Sequence, residues 1–301
     1  MGRWEELSPR FSQAMIFHKQ RPQLLRERGS PMPYGNSVSQ IYVANFRKKL
    51  LADTYLVLKT GVTPSASGSA YLEVETTAKS GVSGLKLSCT VHGPRALPRS
   101  APFSPHIVLS AHVKYAPFAK KQRRGYLRDS TERDLSIHLE TALRGVVIAD
   151  RWPKSGVDII ISVIEGDQDR GLSRGDYDEA WDTMNVLSGC VSVASAALAD
   201  AGIDCVDTVV GGVAALVADG EESTPRIVVD PVPSQHSKVL AACCVAYLPT
   251  RDEVTNLWFK GDVPASDAST YTKMIENGIL ASRKANRVLV DSLNETIVRA
   301  R

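Results

Sequence analysis

The sequence predicts a mixed α/β (α+β) body in two related halves. Three observations predict it. Strands with alternating apolar residues come in groups, each group is followed by segments of helical period, and Gly-Ser and Pro-rich turns punctuate them. Tyr55-Leu56-Val57-Leu58 reads as the first strand. Residues Ser69–Thr77 (SAYLEVETT) set Ala70, Leu72 and Val74 against polar neighbours, so one face is buried. Leu85–His92 and Ile107–Val113 alternate likewise, which implies an antiparallel or mixed sheet. Leu135, Leu139, Ala142, Leu143, Val146 and Val147 recur at helical spacing, with Asp129 or Ser130 as cap. Val157–Ile164 is a nearly continuous apolar run, expected of a central strand. Seven acidic and two basic residues between Glu165 and Asp182 read as a solvated loop. Met184–Ala201, rich in small residues, reads as a tightly packed buried helix.

The last third repeats the scheme. Val206–Val217, Arg226–Asp230, Val239–Leu248 and Val254–Lys260 read as strands, the third buried on both faces. Asp267–Val298 is a long helix expected to bury Tyr271, Met274, Ile275, Ile279, Leu280 and Val288. Ahead of all this, residues 1–50 carry nine basic and three acidic side chains, interrupted by Pro22, Pro31, Pro33, Gly29 and Gly35. They read as a basic extension over the surface, with one short helix at 23–28.

The 301 residues are 43% hydrophobic and 23% charged, which excludes wholesale disorder. A net charge of +3 is too small to mark a nucleic-acid binder by itself. No apolar run reaches the roughly 18 residues that span a bilayer, and no signal-peptide pattern opens the chain. Cys89, Cys190, Cys205, Cys243 and Cys244 lack metal-ligand spacing, so reduced thiols in an intracellular protein are expected. Cys243 and Cys244 are neighbours on one strand and must point to opposite faces. The sequence contains no GxGxxG, P-loop, HExxH or GxSxG, and its six histidines are scattered. Its strongest charge feature runs from Lys114 to Arg128, with six basic and no acidic residues around Tyr115, Phe118 and Tyr126. Such a stretch suits RNA, since cations neutralise phosphates and aromatic faces stack bases; a solvated loop is the other reading.

Several ordered motifs carry a resemblance. Gly68-Ser69-Ala70, Glu73, Gly93-Pro94-Arg95, Ala142-Leu143-Arg144, the strand at 157–164 and Ser195-Ala-Ala-Leu-Ala-Asp-Ala-Gly202 resemble the ribonuclease PH superfamily over roughly residues 50–290. Within it, HGPRALPRSAPFSPHIVLSAHVKYAPFA, LETALRGVVIADRWPKSGVDI and SGCVSVASAALADAGIDCVDTVVGGVAALV resemble a ring subunit of the eukaryotic RNA exosome, of the mRNA transport regulator 3 family in fungal form. The resemblance implies a ribonuclease PH-like fold of two related βα subdomains: an N-terminal extension at 1–49, a first subdomain at 50–220, and a second at 221–301 with the C-terminal helix.

The resemblance also says what an active member needs. Phosphorolysis requires a cationic pocket for inorganic phosphate and carboxylates for a magnesium ion or a proton. Active relatives carry Asp-x5-Asp on a strand; here the pair becomes Asp230 and His236, and a neutral imidazole is a poor substitute for a hard oxygen ligand. Their phosphate-binding arginine, thirteen residues before the Arg of Ala-Leu-Arg, becomes Thr131. Their Thr-Arg ahead of the small-residue helix becomes Val186-Leu187, and no Arg lies between Arg174 and Arg226. Arg128 and Arg133 flank Thr131 as substitutes. A pseudo-enzyme is therefore expected, with no cofactor and no metal. Its expected role is a non-catalytic exosome ring subunit in RNA processing and degradation, rRNA included. Its expected partners are other ring subunits, S1/KH caps, hydrolytic nucleases and RNA, with no membrane; its expected places are nucleus, nucleolus and cytoplasm. The alternatives are an active phosphate-dependent 3′ exoribonuclease, or a structural subunit without RNA contact. The expected RNA-binding residues are Arg95, Arg99, Lys120, Lys121, Arg123 and Arg124, the first two after a Gly-Pro turn.

Overall fold

A computed structural model describes residues 47–51, 54–76, 84–119, 123, 129–166, 179–218, 225–231, 236, 238–261 and 268–300. The expected basic extension, apart from Arg47–Lys49, lies outside the described residues, as do the helix at 23–28 and residues 167–178 of the acidic stretch.

The chain opens with strands β1 (Arg47–Leu51), β2 (Thr54–Thr60), β3 (Gly68–Thr76) and β4 (Leu85–Ala96), each antiparallel to the one before. Alternation decides their faces: Leu56 and Leu58, Ala70 and Leu72, and Leu85, Leu87, Cys89 and Val91 all turn into one core. Next come β5 (Val108–Tyr115), helix α1 (Ser130–Arg144) and β6 (Ser155–Glu165). Strand β6 inserts between β4 and β5, antiparallel to the first and parallel to the second. The first sheet is therefore mixed, in the order β1-β2-β3-β4-β6-β5. The second sheet, β10-β9-β7-β8, is antiparallel throughout and uses β7 (Val210–Val217), β8 (Arg226–Val229), β9 (Val239–Leu248) and β10 (Glu253–Gly261).

Two helices join the sheets. Helix α1 is capped by Asp129, whose carboxylate accepts the Ser130 N–H at 2.7 Å. It reaches the first sheet through Ser136, whose hydroxyl accepts the Val113 N–H at 3.0 Å. It reaches the second through His138, stacked on Trp258 of β10 with ring centres 4.4 Å apart. Helix α2 (Glu179–Ala201) packs against β3 and β4 on one side and β7 and β9 on the other. Its small residues make this contact. Ser192 and Ser195 accept the N–H groups of Gly211 and Val209 at 3.2 and 3.1 Å, and a Cβ on Gly211 would come 2.4 Å from the Ser188 Cα. The final helix, α3 (Ala268–Ala300), covers the opposite face of the second sheet. Cys243 and Cys244 do point apart, Cys244 into the core shared with α2 and Cys243 toward Met274 of α3. All five cysteines are free thiols.

Some expectations are corrected. Gly93-Pro94-Arg95 is not a turn. Strand β4 continues through it to Ala96, with a cis Gly93–Pro94 peptide and an irregularity in its pairing with β6. Glycine is required there, because φ is +140° and a Cβ would meet the Gly156 carbonyl oxygen at 2.7 Å. Glu179–Asp182 open α2 rather than end a loop. Val146 and Val147 are buried but lie past the end of α1. Strand β7 starts at Val210, since Val209 is held by Ser195 instead of a ladder. Strand β6 is interior to its sheet yet exposes Ile160 and Ser162 on one face. Tyr271 and Leu280 are 40% and 45% exposed, because α3 approaches the sheet through Met274, Gly278, Ala281 and Ser282. The Thr183–Ala201 stretch is long and apolar enough, by length and composition, to cross a bilayer. Its interspersed Ser, Gly and Asn break the apolar run without much lowering its average, and the helix spends that character inside the core.

Replacing Gly211 with alanine is expected to cost about 1–3 kcal/mol, because the backbone of Ser188 cannot yield to a new methyl. Thermal unfolding of the two proteins measures the difference; equal midpoints would mean that α2 and β7 are less closely fitted.

Candidate functional site

Asp230 follows the last residue of β8 and turns the chain away from the sheet with a φ of +47°. Its own N–H donates to the Val213 carbonyl at 2.9 Å. Burial pushes its carboxyl up to about 6, against the opposing pull of the Val213 N–H and of Lys284 on α3. Asn185 of α2 donates its side-chain N–H to the Pro231 carbonyl at 2.9 Å. The start of α2 is thereby tied to the residue after Asp230, and Cys244 lies close enough to feel the Asp230 charge. Among these groups Asn185 and Lys284 escaped the sequence reading. Neither stands in a motif, and only the fold carries them to Asp230.

The positions where a phosphate pocket was sought are apolar or neutral. Val186 and Leu187 follow Asn185 on α2 and are buried in the core. Thr131 is half-buried in the first turn of α1. Its neighbour Glu132 is buried, with its carboxylate accepting the Tyr115 N–H at 3.0 Å. Arg133 is exposed, and Arg128 lies outside the described residues. His236, half-buried, is the only described residue between Pro231 and Lys238. Asp230 and Val186-Leu187 are brought near one another through the Asn185–Pro231 bond, while Glu132, next to Thr131, serves the end of β5. No group of three His, Cys, Asp or Glu side chains arranged for a metal occurs among the described residues. Among the described residues here, a carboxylate of raised pKa stands near Lys284, an arrangement that can exchange a proton.

The basic candidates lie elsewhere. Arg95 is in β4, rather than in a loop after a turn, and its guanidinium pairs with the Asp158 carboxylate of β6. Arg99 is exposed at the second position of a turn closed by the Ala101 N–H donating to the Pro98 carbonyl at 2.9 Å. Arg123 is exposed, while Lys120, Lys121 and Arg124 lie outside the described residues. One neighbour of Arg99 was missed by sequence reasoning. Phe103 is 71% exposed, with the Lys154 ammonium 5.2 Å from its ring centre. Its place between Pro102 and Ser104-Pro105 was the available signal, since a Pro-rich stretch rarely enters a core.

Comparison with known proteins places this geometry among relatives. Residues 55–204 match the model of the 3′ exoribonuclease family, domain 1. The chain is similar to the exosome complex component MTR3 of Chaetomium thermophilum, 78% identical over 242 residues, covering 80% of this chain and 85% of that one. It is similar also to mtr3 of Schizosaccharomyces pombe, at 29% identity over 74% of this chain and 77% of the other. Human MTR3 matches at 26% identity over 78% of this chain and 80% of its own. The solved structure of rice Rrp46 superposes with a TM-score of 0.61 at 16% identity, covering 82% of this chain and 98% of the rice chain, which is a likeness of fold.

Asp230 makes stability depend on pH. Its folded-state pKa of about 6 lies above the unfolded value near 3.8, so the folded protein gains stability as pH falls through that interval and loses it as pH rises through 6. Asp230→Asn keeps an acceptor for the Val213 N–H and tolerates the left-handed backbone. It is expected to stabilise the protein by about 1–3 kcal/mol at pH 8, with the gain vanishing near pH 4. Denaturant titrations of both proteins at the two pH values check this; a gain independent of pH would contradict it.

Proposed function

Because this chain belongs to the ribonuclease PH family of 3′ exoribonuclease folds, we propose that it is a non-catalytic ring subunit of the RNA exosome. The observation that carries the assignment is the 78% identity to a protein named as an exosome component, over 80% of this chain. The same identity supports the partners proposed for it: other ribonuclease PH-like ring subunits, S1/KH cap subunits, hydrolytic nucleases that supply the cleavage, and RNA. The proposed sites of action are nucleus, nucleolus and cytoplasm, with a role in processing rRNA and degrading RNA. Arg95, Arg99, Lys120, Lys121, Arg123 and Arg124 are the residues proposed to face RNA.

The site supports a non-catalytic role. In-line attack by phosphate needs an anion held against the scissile bond and charge stabilisation as the bond breaks. Where a cationic wall would stand, the chain has buried Val186 and Leu187 and half-buried Thr131. Asp230 lacks its second carboxylate and is itself more easily protonated than an ordinary aspartate. Each missing element is worth several kcal/mol of barrier, so no single residue restores the reaction.

Co-expression with the other ring subunits tests the assignment, and recovery of this chain in a stoichiometric ring is the expected result. Failure to co-assemble would remove it. With phosphate and magnesium, that ring is expected to release no nucleoside diphosphates from a 3′-tailed RNA through this chain. His236→Asp is expected to change nothing, because it adds a carboxylate without a phosphate pocket. Clear phosphate-dependent product from the variant would show that Arg128 or Arg133 completes the pocket, and the protein would then be an enzyme in waiting.

A further inference from the structure

The segment between β4 and β5 is rigid for a loop. The Leu97 N–H donates to the Lys154 carbonyl at 3.1 Å, the Lys154 N–H donates to the Ser104 carbonyl at 3.2 Å, and the Ile107 N–H donates to the Ala149 carbonyl at 3.0 Å. Pro98, Pro102 and Pro105 restrict it further. These bonds fasten residues 97–107 to the turn before β6, at the end of the sheet where Arg95 meets Asp158. Among the described residues here, Asp158 pairs with Arg95, Asp204 with Arg151 at 3.6 Å, and Asp150 meets the His106 ring at 2.6 Å. Arg99 and Lys154, both exposed, add positive charge beyond those pairs.

On this braced loop stands Phe103, 71% exposed. The Lys154 ammonium lies over one side of the ring at 5.2 Å from its centre, and the remaining surface opens to solvent. We propose that Phe103 is a stacking platform for one base of single-stranded RNA, with Arg99 and Lys154 neutralising the flanking phosphates. A protein-docking anchor would sit among other large apolar side chains; along the chain Phe103 is flanked by Ala101-Pro102 and Ser104-Pro105, and a cation lies over its ring. An aromatic face next to surplus positive charge suits an unpaired base and its backbone, without preference for sequence. The loop is already ordered, so little entropy is lost when the strand arrives. The RNA partner rests on the function proposed above, whereas the platform itself rests on Phe103 and Lys154.

The test uses the full chain in the assembled ring, with a fluorescent 3′-tailed single-stranded RNA titrated across a salt series. Phe103→Ala and Phe103→Leu are expected to weaken binding by about 5-fold or more without changing the salt slope, and Phe103→Tyr to retain it. Arg99→Ala and Lys154→Ala are each expected to lower the slope by about one unit. In the unmodified ring, 4-thiouridine in the RNA is expected to photo-crosslink to the peptide holding Phe103. Binding by Phe103→Leu equal to the parent overturns the platform, as does a Phe103→Ala ring that binds RNA normally but loses a protein partner. If the ring binds RNA and the Phe103 variants are neutral, this inference falls and the exosome assignment stands. If the chain does not enter a ring, the assignment falls, and the same variants in the free chain then decide the platform alone.

Discussion

Everything in this molecule depends on one helix fitting between two sheets. Helix α2 touches β3 and β4 on one side and β7 and β9 on the other, so each sheet uses it as half of its core. The fit is possible because α2 presents Gly189, Ala194, Ala196 and Ala197 where a larger side chain would force the sheets apart. Its serines add a second constraint. Ser192 and Ser195 accept N–H groups of Gly211 and Val209, so the helix fixes the entry of β7 as well as filling space. The sheets, the approach of α1 and the placing of Asp230 beside Asn185 are all referred to this contact.

The first sheet was largely legible in the sequence because its strands have one wet face. Ala70, Leu72, Leu87, Cys89 and Val91 alternate with polar residues, and alternation is the signal a half-buried strand must give. The helices were harder. In α3 the expectation holds at Met274 and Val288 and fails at Tyr271 and Leu280, because between the first two the buried stripe is completed by the small Gly278, Ala281 and Ser282. Small residues carry little hydropathy, so a close helix–sheet contact leaves a weak trace in a one-dimensional pattern. Gly93-Pro94 misled for a related reason: the two residues most typical of turns here sit inside a paired strand, because Gly93 must clear the Gly156 carbonyl.

The candidate site was legible as a set of positions and illegible as a place. Thr131, Val186-Leu187, Asp230 and His236 were identified by position, but Asn185 and Lys284 come to Asp230 from α2 and α3 through the fold alone. Burial of Val186 and Leu187 shows what that environment favours. An arginine there would need a path to solvent or a bound anion; an aliphatic pair needs neither and adds to the core. Burial acts oppositely on the nearby carboxylate: it favours the neutral form and raises the pKa of Asp230.

The meeting of Thr60 and Thr296 has a consequence for how the chain is made. Their hydroxyls lie 3.1 Å apart across 236 residues of sequence, joining β2 to the last turns of α3. Synthesis runs from the amino end, so the inner surface of β2 is exposed while nearly all the remaining chain is still being added. The first sheet then waits, with Leu56 and Leu58 turned toward a helix not yet translated. At about 5–20 residues per second that wait lasts on the order of ten seconds or more, long compared with the formation of any local hairpin. Apolar surface left uncovered for that long is what makes a nascent chain prone to aggregate.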